Sequence, residues 1–235
     1  DAACVAAKQR GRNSVQVYEL TSPELQSQEL MSDLAGRFDS LLAGNGLYLR
    51  CQMVMPIGNE TAMLPYYEIL LGIQDNSASV PTATQDLIAT MERLGRSHEV
   101  DIWVIEQTFQ WIKTNPASFA AIGGLSINLS AGSLDNADTM NFLKRALSTG
   151  DIQAEKLIFE ITETATIRSY AAAQDFIREI RRYGCRFSLD DFGSGFTSYA
   201  HLKNLHTDIL KIDGSFITDL ADNANDAAMV KSMNE

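Results

Sequence analysis

Six polar side chains interrupt short apolar runs of this sequence, and most are of types that bind divalent cations. They are Glu68, Asn128, Glu160, Asp190, Asp191 and Lys211. From Asn128 to Lys211 the steps Asn128–Glu160, Glu160–Asp190 and Asp190–Lys211 are 32, 30 and 21 residues long, about one strand–helix unit each. Neighbouring carboxylates repel one another unless cations compensate them. Because the set offers oxygen donors with no nearby Cys or His, the pattern predicts a site for Mg²⁺ or Mn²⁺.

Each of these residues also has an ordinary structural explanation. An acid at a strand end can cap a helix or form an ion pair, Asn128 can belong to a turn, and Lys211 can be half of a salt bridge. The combination favours a metal site, because unpaired charge is rare in apolar surroundings. His98, His201 and His206 have no ligand spacing, and the sequence contains no serine-nucleophile motif or phosphate-binding loop.

The elements that must position these residues are apolar, β-rich runs that alternate with helical stretches. Strands are predicted at 47–55, 66–73, 125–129, 156–161, 186–190 and 208–212, and helices at 84–95, 99–114, 136–149 and 168–183. This alternation predicts an α/β fold with a largely parallel sheet. Acids near successive strand ends favour a (β/α)8 TIM-like barrel, whose active sites lie at the carboxyl ends of the strands. Six strands are two fewer than eight, so we expect the barrel to be incomplete at the C-terminus of this chain.

Three segments are expected along the chain. Residues 1–19 are interpreted as the tail of an upstream domain, 20–46 as a connecting helix and linker, and 47–235 as the main domain. Because the sequence does not begin with Met, we expect it to be a piece of a longer protein.

Composition narrows the function classes. The 235 residues carry a net charge of −11, which argues against binding a nucleic-acid polymer. Cys4, Cys51 and Cys185 are few and lack CxxC spacing, so we expect a reducing, cytoplasmic compartment. No apolar run reaches the roughly 18 residues of a membrane span, although a parent protein could be anchored upstream.

Several segments resemble the EAL domain, a family that hydrolyses the bacterial second messenger cyclic di-GMP. They are INLS at 127–130, FEITET at 159–164, LDDFGSGFTS at 189–198 and LKIDGSF at 210–216. Glu68-Ile69-Leu70 stands where the family has its name-giving Glu-Ala-Leu. Residues 1–19 resemble the end of a GGDEF domain, so the resemblance implies a parent protein with GGDEF and EAL domains.

The resemblance implies a role for each matching residue. Glu68, Asn128, Glu160 and Asp190 would be metal ligands, and Asp191 would help to hold a second ion. Lys211 would bind or polarise the attacking water or the phosphate, and Glu163 would anchor the loop at 191–199, which often contacts a partner in a homodimer. The implied substrate-binding residues are Gln52 and Leu70. The implied activity is a Mg²⁺- or Mn²⁺-dependent phosphodiesterase that converts cyclic di-GMP to linear pGpG.

One departure from the family keeps other functions open. Gly72 stands where the family usually has an Arg that helps to hold the ligand. The chain could therefore be a receptor that binds cyclic di-GMP without cleaving it. Two further alternatives, from the residues alone, are a barrel that uses Mg²⁺ to stabilise an enolate and a purely structural domain.

Overall fold

The structure is a computed structural model that describes residues 35–43, 46–57, 64–74, 83–193, 204–218 and 220–234. Its strands are β1 (Leu47–Val54), β2 (Tyr66–Ile73), β3 (Gly124–Leu129), β4 (Leu157–Thr162), β5 (Arg186–Phe192) and β6 (Ile209–Ile212). Its helices are α1 (Thr84–Arg93), α2 (Ser97–Thr114), α3 (Pro116–Ala120), α4 (Ala131–Leu134), α5 (Ala137–Ser148), α6 (Glu163–Arg168), α7 (Tyr170–Arg181), α8 (Ser215–Thr218) and α9 (Ala224–Asn234). A 3-10 turn occupies Ala154–Lys156, and residues 35–43 are also helical.

The chain forms two compact units, whose boundary runs through β1 and β2. One unit contains Asp1–Tyr48 and Gly72–Leu94, and the other contains Leu49–Leu71 and Gly95–Glu235. All six polar residues singled out from the sequence belong to the second unit. None of the described helices is long and apolar enough to cross a membrane.

The strands form one sheet in the order β1-β2-β3-β4-β5-β6. Strands β2 to β6 pair in parallel, as the strand–helix alternation predicts. Strand β1 is the exception: the amide of Gln74, just after β2, donates to the carbonyl of Gly46, just before β1, at 2.8 Å. The start of β1 therefore lies beside the end of β2, so these two strands run antiparallel.

One face of the sheet carries large apolar side chains that pack under the helices. Ile127, Phe159 and Phe187, from β3, β4 and β5, are fully buried. The rings of Phe159 and Phe187 lie 5.8 Å apart between centroids, and Phe176 of α7 meets Phe187 edge-on at 6.3 Å. Side chains alternate along a strand, so the residues between these apolar positions project to the opposite face, where the polar residues lie.

Two expected elements differ in detail. The helix predicted at 168–183 is α7, which begins at Tyr170, and a further helix, α6, precedes it. Ser169 separates the two because it leaves the helical region at φ −146° and ψ 68°. The side chain of Thr162 accepts from the Ala165 amide at 3.2 Å, so a new helix begins directly after β4. The connecting helix predicted within 20–46 is described, and helical, at 35–43. The tail at 1–19 lies outside the described residues.

Candidate active site

Strand register brings the predicted polar residues together. Asn128 of β3 is the direct neighbour of Glu160 on β4, and Thr162 of β4 is the neighbour of Asp190 on β5. Glu68 of β2 pairs with Ser126, two residues before Asn128. Residues two apart on a strand share a face. The parallel strands therefore place Glu68, Asn128, Glu160 and Asp190 on one face of the sheet.

The ammonium group of Lys211, from β6, lies among three carboxylates. Its Nζ donates to Glu160 Oε2 at 2.5 Å, to Asp190 Oδ2 at 2.9 Å and to Glu68 Oε2 at 3.2 Å. Asn128 Nδ2 donates to the other oxygen of Glu68, Oε1, at 3.0 Å. We call Glu68, Asn128, Glu160, Asp190 and Lys211 the acid cluster, since carboxylates outnumber its single cation.

Burial makes the acid cluster electrostatically unusual. The Glu160 side chain is 1% exposed, and burial raises its pKa against the lowering effect of Lys211. Burial alone would lower the pKa of Lys211, but the hydrogen bonds and negative charges of Glu160 and Asp190 outweigh it, and the net shift is upward. Lys211 is therefore held as an ammonium ion at neutral pH.

The donor set fits a hard divalent cation. Within the described ranges no three His, Cys, Asp or Glu side chains stand in a metal-ligating arrangement, because the acids converge on Lys211. Yet Oε1 of Glu160 is buried and, among the described residues, has no hydrogen-bond partner of standard geometry, although the neighbouring Ser126 hydroxyl contributes to lowering the pKa of Glu160. Leaving such a group unsatisfied is costly, and a divalent cation would satisfy it. Oxygen donors from two glutamates, an aspartate and an amide suit Mg²⁺ or Mn²⁺ better than zinc.

Asp191 directly follows Asp190 of the acid cluster, but its backbone departs from the extended conformation of a strand. Its φ is 55°, in the left-handed region, and the residue is exposed. Its amide donates to Oδ1 of Asp190 at 2.9 Å. Burial, together with the negative charges of Asp190 and Asp213, raises the pKa of Asp191. The charge of Lys211 acts in the opposite direction. The part of Asp191 in a second metal site stays a prediction.

Glu163 contacts the start of the predicted loop at 191–199. Its side chain is buried, and Oε2 accepts from the Gly193 amide at 2.8 Å. Gly193 has φ 98°, a conformation that favours glycine. The contact agrees with the anchoring role expected of Glu163, while residues 194–200 lie outside the described part of the chain.

The two predicted substrate-binding residues lie on β1 and β2. Gln52 is an exposed residue of β1, and Leu70 is half-buried on β2, two residues after Glu68. Leu70 therefore shares the face of Glu68. Neither residue has a recorded hydrogen bond to the acid cluster, so both roles stay predictions.

Sequence reasoning missed three residues on the same face. Tyr66 is two residues before Glu68, and its pKa is raised by burial and by the charge of Glu160. Ser126 and Ser188 are buried two residues before Asn128 and Asp190. The sequence did contain a signal for them, because each is a polar or aromatic hydroxyl residue two positions before Glu68, Asn128 or Asp190 in an otherwise apolar strand.

In the other unit, a tyrosine ring covers the glycine that departs from the family pattern. A Cβ added at Gly72 would lie 2.5 to 2.9 Å from ring atoms of Tyr48, closer than real Cβ contacts. Position 72 therefore has no room for a larger side chain while Tyr48 keeps this position.

Comparisons with known proteins agree on a family. Residues 37–235 match the EAL domain. The chain is 35% identical, over its whole length, to cyclic di-GMP phosphodiesterase PdeB of Shewanella oneidensis, of which it covers 27%. It covers between about a fifth and two fifths of the length of the curated relatives it matches, and 27% and 26% of the first two.

Solved structures show the same fold. The crystal structure of the FimX EAL domain superposes with a TM-score of 0.77 at 22% identity, covering 86% of this chain and 79% of that one. The PaMucR phosphodiesterase in complex with c-di-GMP superposes with a TM-score of 0.73 at 26% identity, covering 85% and 80%. The predicted α/β fold of TIM-like barrel type is confirmed, and the described residues supply six of its strands.

Proposed function

The chain belongs to the EAL-domain family, and on that premise we propose that it is a metal-dependent phosphodiesterase that hydrolyses cyclic di-GMP to linear pGpG. The observation that carries the proposal is the acid cluster, in which four parallel strands direct carboxylates and a lysine to one point. Relatives named cyclic di-GMP phosphodiesterases, at 32% and 35% identity, support the substrate and the reaction.

The metal would be held by the oxygen donors of the acid cluster. Glu68, Asn128, Glu160 and Asp190 would bind Mg²⁺ or Mn²⁺, and Asp191 would contribute to a second ion. Bound there, the metal would polarise the phosphodiester and lower the pKa of a nearby water. Oε1 of Glu160, which is buried and has no hydrogen-bond partner of standard geometry among the described residues, supports this assignment.

Lys211 would act as a fixed positive charge rather than as a base. The carboxylates around it raise its pKa, and an ammonium ion has no lone pair with which to take a proton. Its ammonium hydrogens would orient the attacking water or stabilise the negative charge that develops on the phosphate.

Glu163 would act on the loop rather than on the substrate. By accepting from the Gly193 amide, it would fix the start of the loop at 191–199 directly after Asp190 and Asp191. We propose that this loop faces a second copy in a homodimer. The compartment we propose is the cytoplasm.

A second candidate is a receptor that binds cyclic di-GMP and does not cleave it. The observation in its favour is the Tyr48 ring over Gly72, which leaves no space for a ligand-holding side chain there. The catalytic proposal is preferred because a receptor does not require the complete set of Glu68, Glu160, Asp190 and Lys211.

Product formation tests the proposal. The full-length protein would be incubated with cyclic di-GMP and Mn²⁺, and pGpG would be followed by chromatography with and without a chelator. We expect pGpG that disappears on chelation and falls at least about 100-fold in Glu160→Gln, which removes a metal-binding charge. The matched control is Glu155→Gln, an exposed residue of the turn that precedes β4. Binding without turnover in the wild type would establish the receptor instead.

A further inference from the structure

An arginine of β1 lies on the same face as the acid cluster. The hydrogen bond from Gln74 to Gly46 fixes the antiparallel register of β1 and β2, and the Tyr48 ring against Gly72 agrees with it. Continued along both strands, this register sets Arg50 opposite Leu70. Directly opposed residues of antiparallel strands project to the same side of the sheet. Leu70 shares its face with Glu68, so Arg50 does too.

The guanidinium of Arg50 reaches across β2. Its Nη2 donates to the carbonyl of Leu71 at 3.4 Å, beyond the usual range for an N–H···O bond. The side chain therefore extends past Leu70 toward the carboxyl-terminal half of β2. That end of a parallel strand is where ligands bind in α/β folds.

Arg50 is a cation without a carboxylate partner among the residues that the structure describes. Besides Lys211, six other described cations are committed to ion pairs. These pairs are Arg96–Glu99, Lys113–Asp151, Lys144–Glu179, Arg178–Asp175, Arg181–Asp208 and Arg182–Glu179. Arg50 is also exposed, and the long bond to Leu71 uses one of its five N–H donors.

Binding a doubly charged substrate on this face requires a cation besides Lys211. Lys211 is shared by three carboxylates, so its charge is already engaged. A cyclic dinucleotide brings two phosphodiester charges, and the metal at the acid cluster would meet the one being cleaved. The second phosphate needs a different positive group. Two arginines of this face have no carboxylate partner among the described residues, Arg50 and Arg186. Arg186 lies at the amino-terminal start of β5, whereas Arg50 reaches the carboxyl-terminal half of β2, so Arg50 is the better placed of the two.

We propose that Arg50 is a substrate-binding residue whose guanidinium binds oxygens of the phosphate that is not being cleaved. The inference rests on the proposed function, since it assigns the substrate a second contact at the same site. Guanidinium binds phosphate through two parallel N–H···O bonds, which a shorter or uncharged side chain cannot make.

The test measures binding and turnover separately in the full-length protein. Binding of cyclic di-GMP would be followed by calorimetry in EDTA, so that no hydrolysis occurs, and kcat and KM would be measured with Mn²⁺. The variants are Arg50→Ala and Arg50→Lys, and Arg178→Ala is the control that removes the same charge from the exposed face of α7.

We expect Arg50→Ala to raise Kd and KM about 10- to 30-fold with kcat changed less than about 3-fold, since binding common to ground and transition states is lost. Arg50→Lys should recover part of the loss, and the wild-type salt dependence of binding should become shallower in Arg50→Ala. Thermal melts would verify that each variant is folded. Arg178→Ala should match the wild type.

The outcomes separate this inference from the proposed function. Wild-type binding with an unchanged Kd in folded Arg50→Ala overturns the role of Arg50 and leaves the phosphodiesterase intact. A melting temperature that falls together with binding, without recovery in Arg50→Lys, assigns Arg50 to the fold and also overturns it. Absence of both binding in EDTA and Mn²⁺-dependent turnover in the wild type refutes both proposals.

Discussion

Lys211 Nζ lies 2.5 Å from Oε2 of Glu160, while the other oxygen of that carboxylate is buried and has no hydrogen-bond partner of standard geometry in the part of the chain that the structure describes. Oε2 of Glu160 therefore binds Lys211, while Oε1 remains available to a ligand. Glu68 and Asp190 complete the contacts of Lys211. The ammonium ion is therefore the group that holds carboxylates of three strands at one point.

Removing the charge of Lys211 should destabilise the protein in a way that divalent metal repairs. In Lys211→Met three neighbouring carboxylates lose their shared cation, and loss of one partner of a buried ion pair costs about 3 kcal/mol. We expect that loss in urea unfolding at pH 7 with EDTA. Adding Mn²⁺ should recover more stability in Lys211→Met than in the wild type. A variant that unfolds with an unchanged midpoint would show that the acid cluster is not held by Lys211.

Asp208 should make stability depend on pH in the acid range. Burial would raise the pKa of Asp208, but its hydrogen bonds from Arg181 and the Phe187 amide lower it overall. Because the folded-state pKa lies below the unfolded value, this stabilisation is complete above the ordinary Asp pKa. It is lost as pH falls through the lowered folded-state value.

The measurement is the difference in unfolding free energy between the wild type and Asp208→Asn. We expect about 1 to 2 kcal/mol at pH 7, shrinking toward zero as the solution is acidified. Asp175→Asn, which breaks an exposed pair with Arg178, is the control and should cost at most about 1 kcal/mol. A difference that is constant with pH would contradict the assignment.

Asp101 should tie α2 to the segment that follows Asn128. Its Oδ2 accepts from the Ser130 amide at 2.8 Å, from the Ser130 hydroxyl at 2.6 Å and from the Ser133 hydroxyl at 2.6 Å. Asp101→Ala leaves three donors without this acceptor and should cost about 3 kcal/mol in urea unfolding. Ser133→Ala removes one of them and should cost about 1 kcal/mol. Equal costs for the two variants would refute the shared-acceptor description.

Restoring an arginine at position 72 should require that Tyr48 be shortened. Gly72→Arg places its Cβ within 2.9 Å of the Tyr48 ring, and overpacking of this kind costs about 1 to 3 kcal/mol. Tyr48→Ala/Gly72→Arg should recover most of that stability in thermal melts. Tyr48→Ala alone is the control for the loss of the ring. A single Gly72→Arg variant as stable as the wild type would mean that the ring moves aside freely.

Much of the fold and most of the acid cluster could be predicted from the sequence. Apolar runs such as that around Glu160 identify the strands, and parallel strands bring their carboxyl ends to one edge. The direction of β1 could not be predicted from its sequence, because a strand pattern looks the same whether the strand runs parallel or antiparallel to its neighbour. The 11 residues between β1 and β2 were the missed signal, because a parallel crossover needs a dozen or more residues.

Other features depend on tertiary geometry that no local pattern contains. Lys211 reaches Glu68 across 143 residues of sequence, and only the strand order brings the two together. The helix α6 was missed because its six residues are too few to show a helical apolar pattern. The fit of the Tyr48 ring over Gly72 depends on register between two strands.

The ion pairs of Lys211 also bear on the order in which this protein matures. Carboxylates that already share an internal counter-ion can converge as the strands assemble, so the sheet need not wait for a metal in order to close around them. On the proposed function, a newly made chain would reach its native form first and take up the metal afterwards. The metal would then compete with Lys211 for the same carboxylates, which would set a threshold of metal concentration for activity.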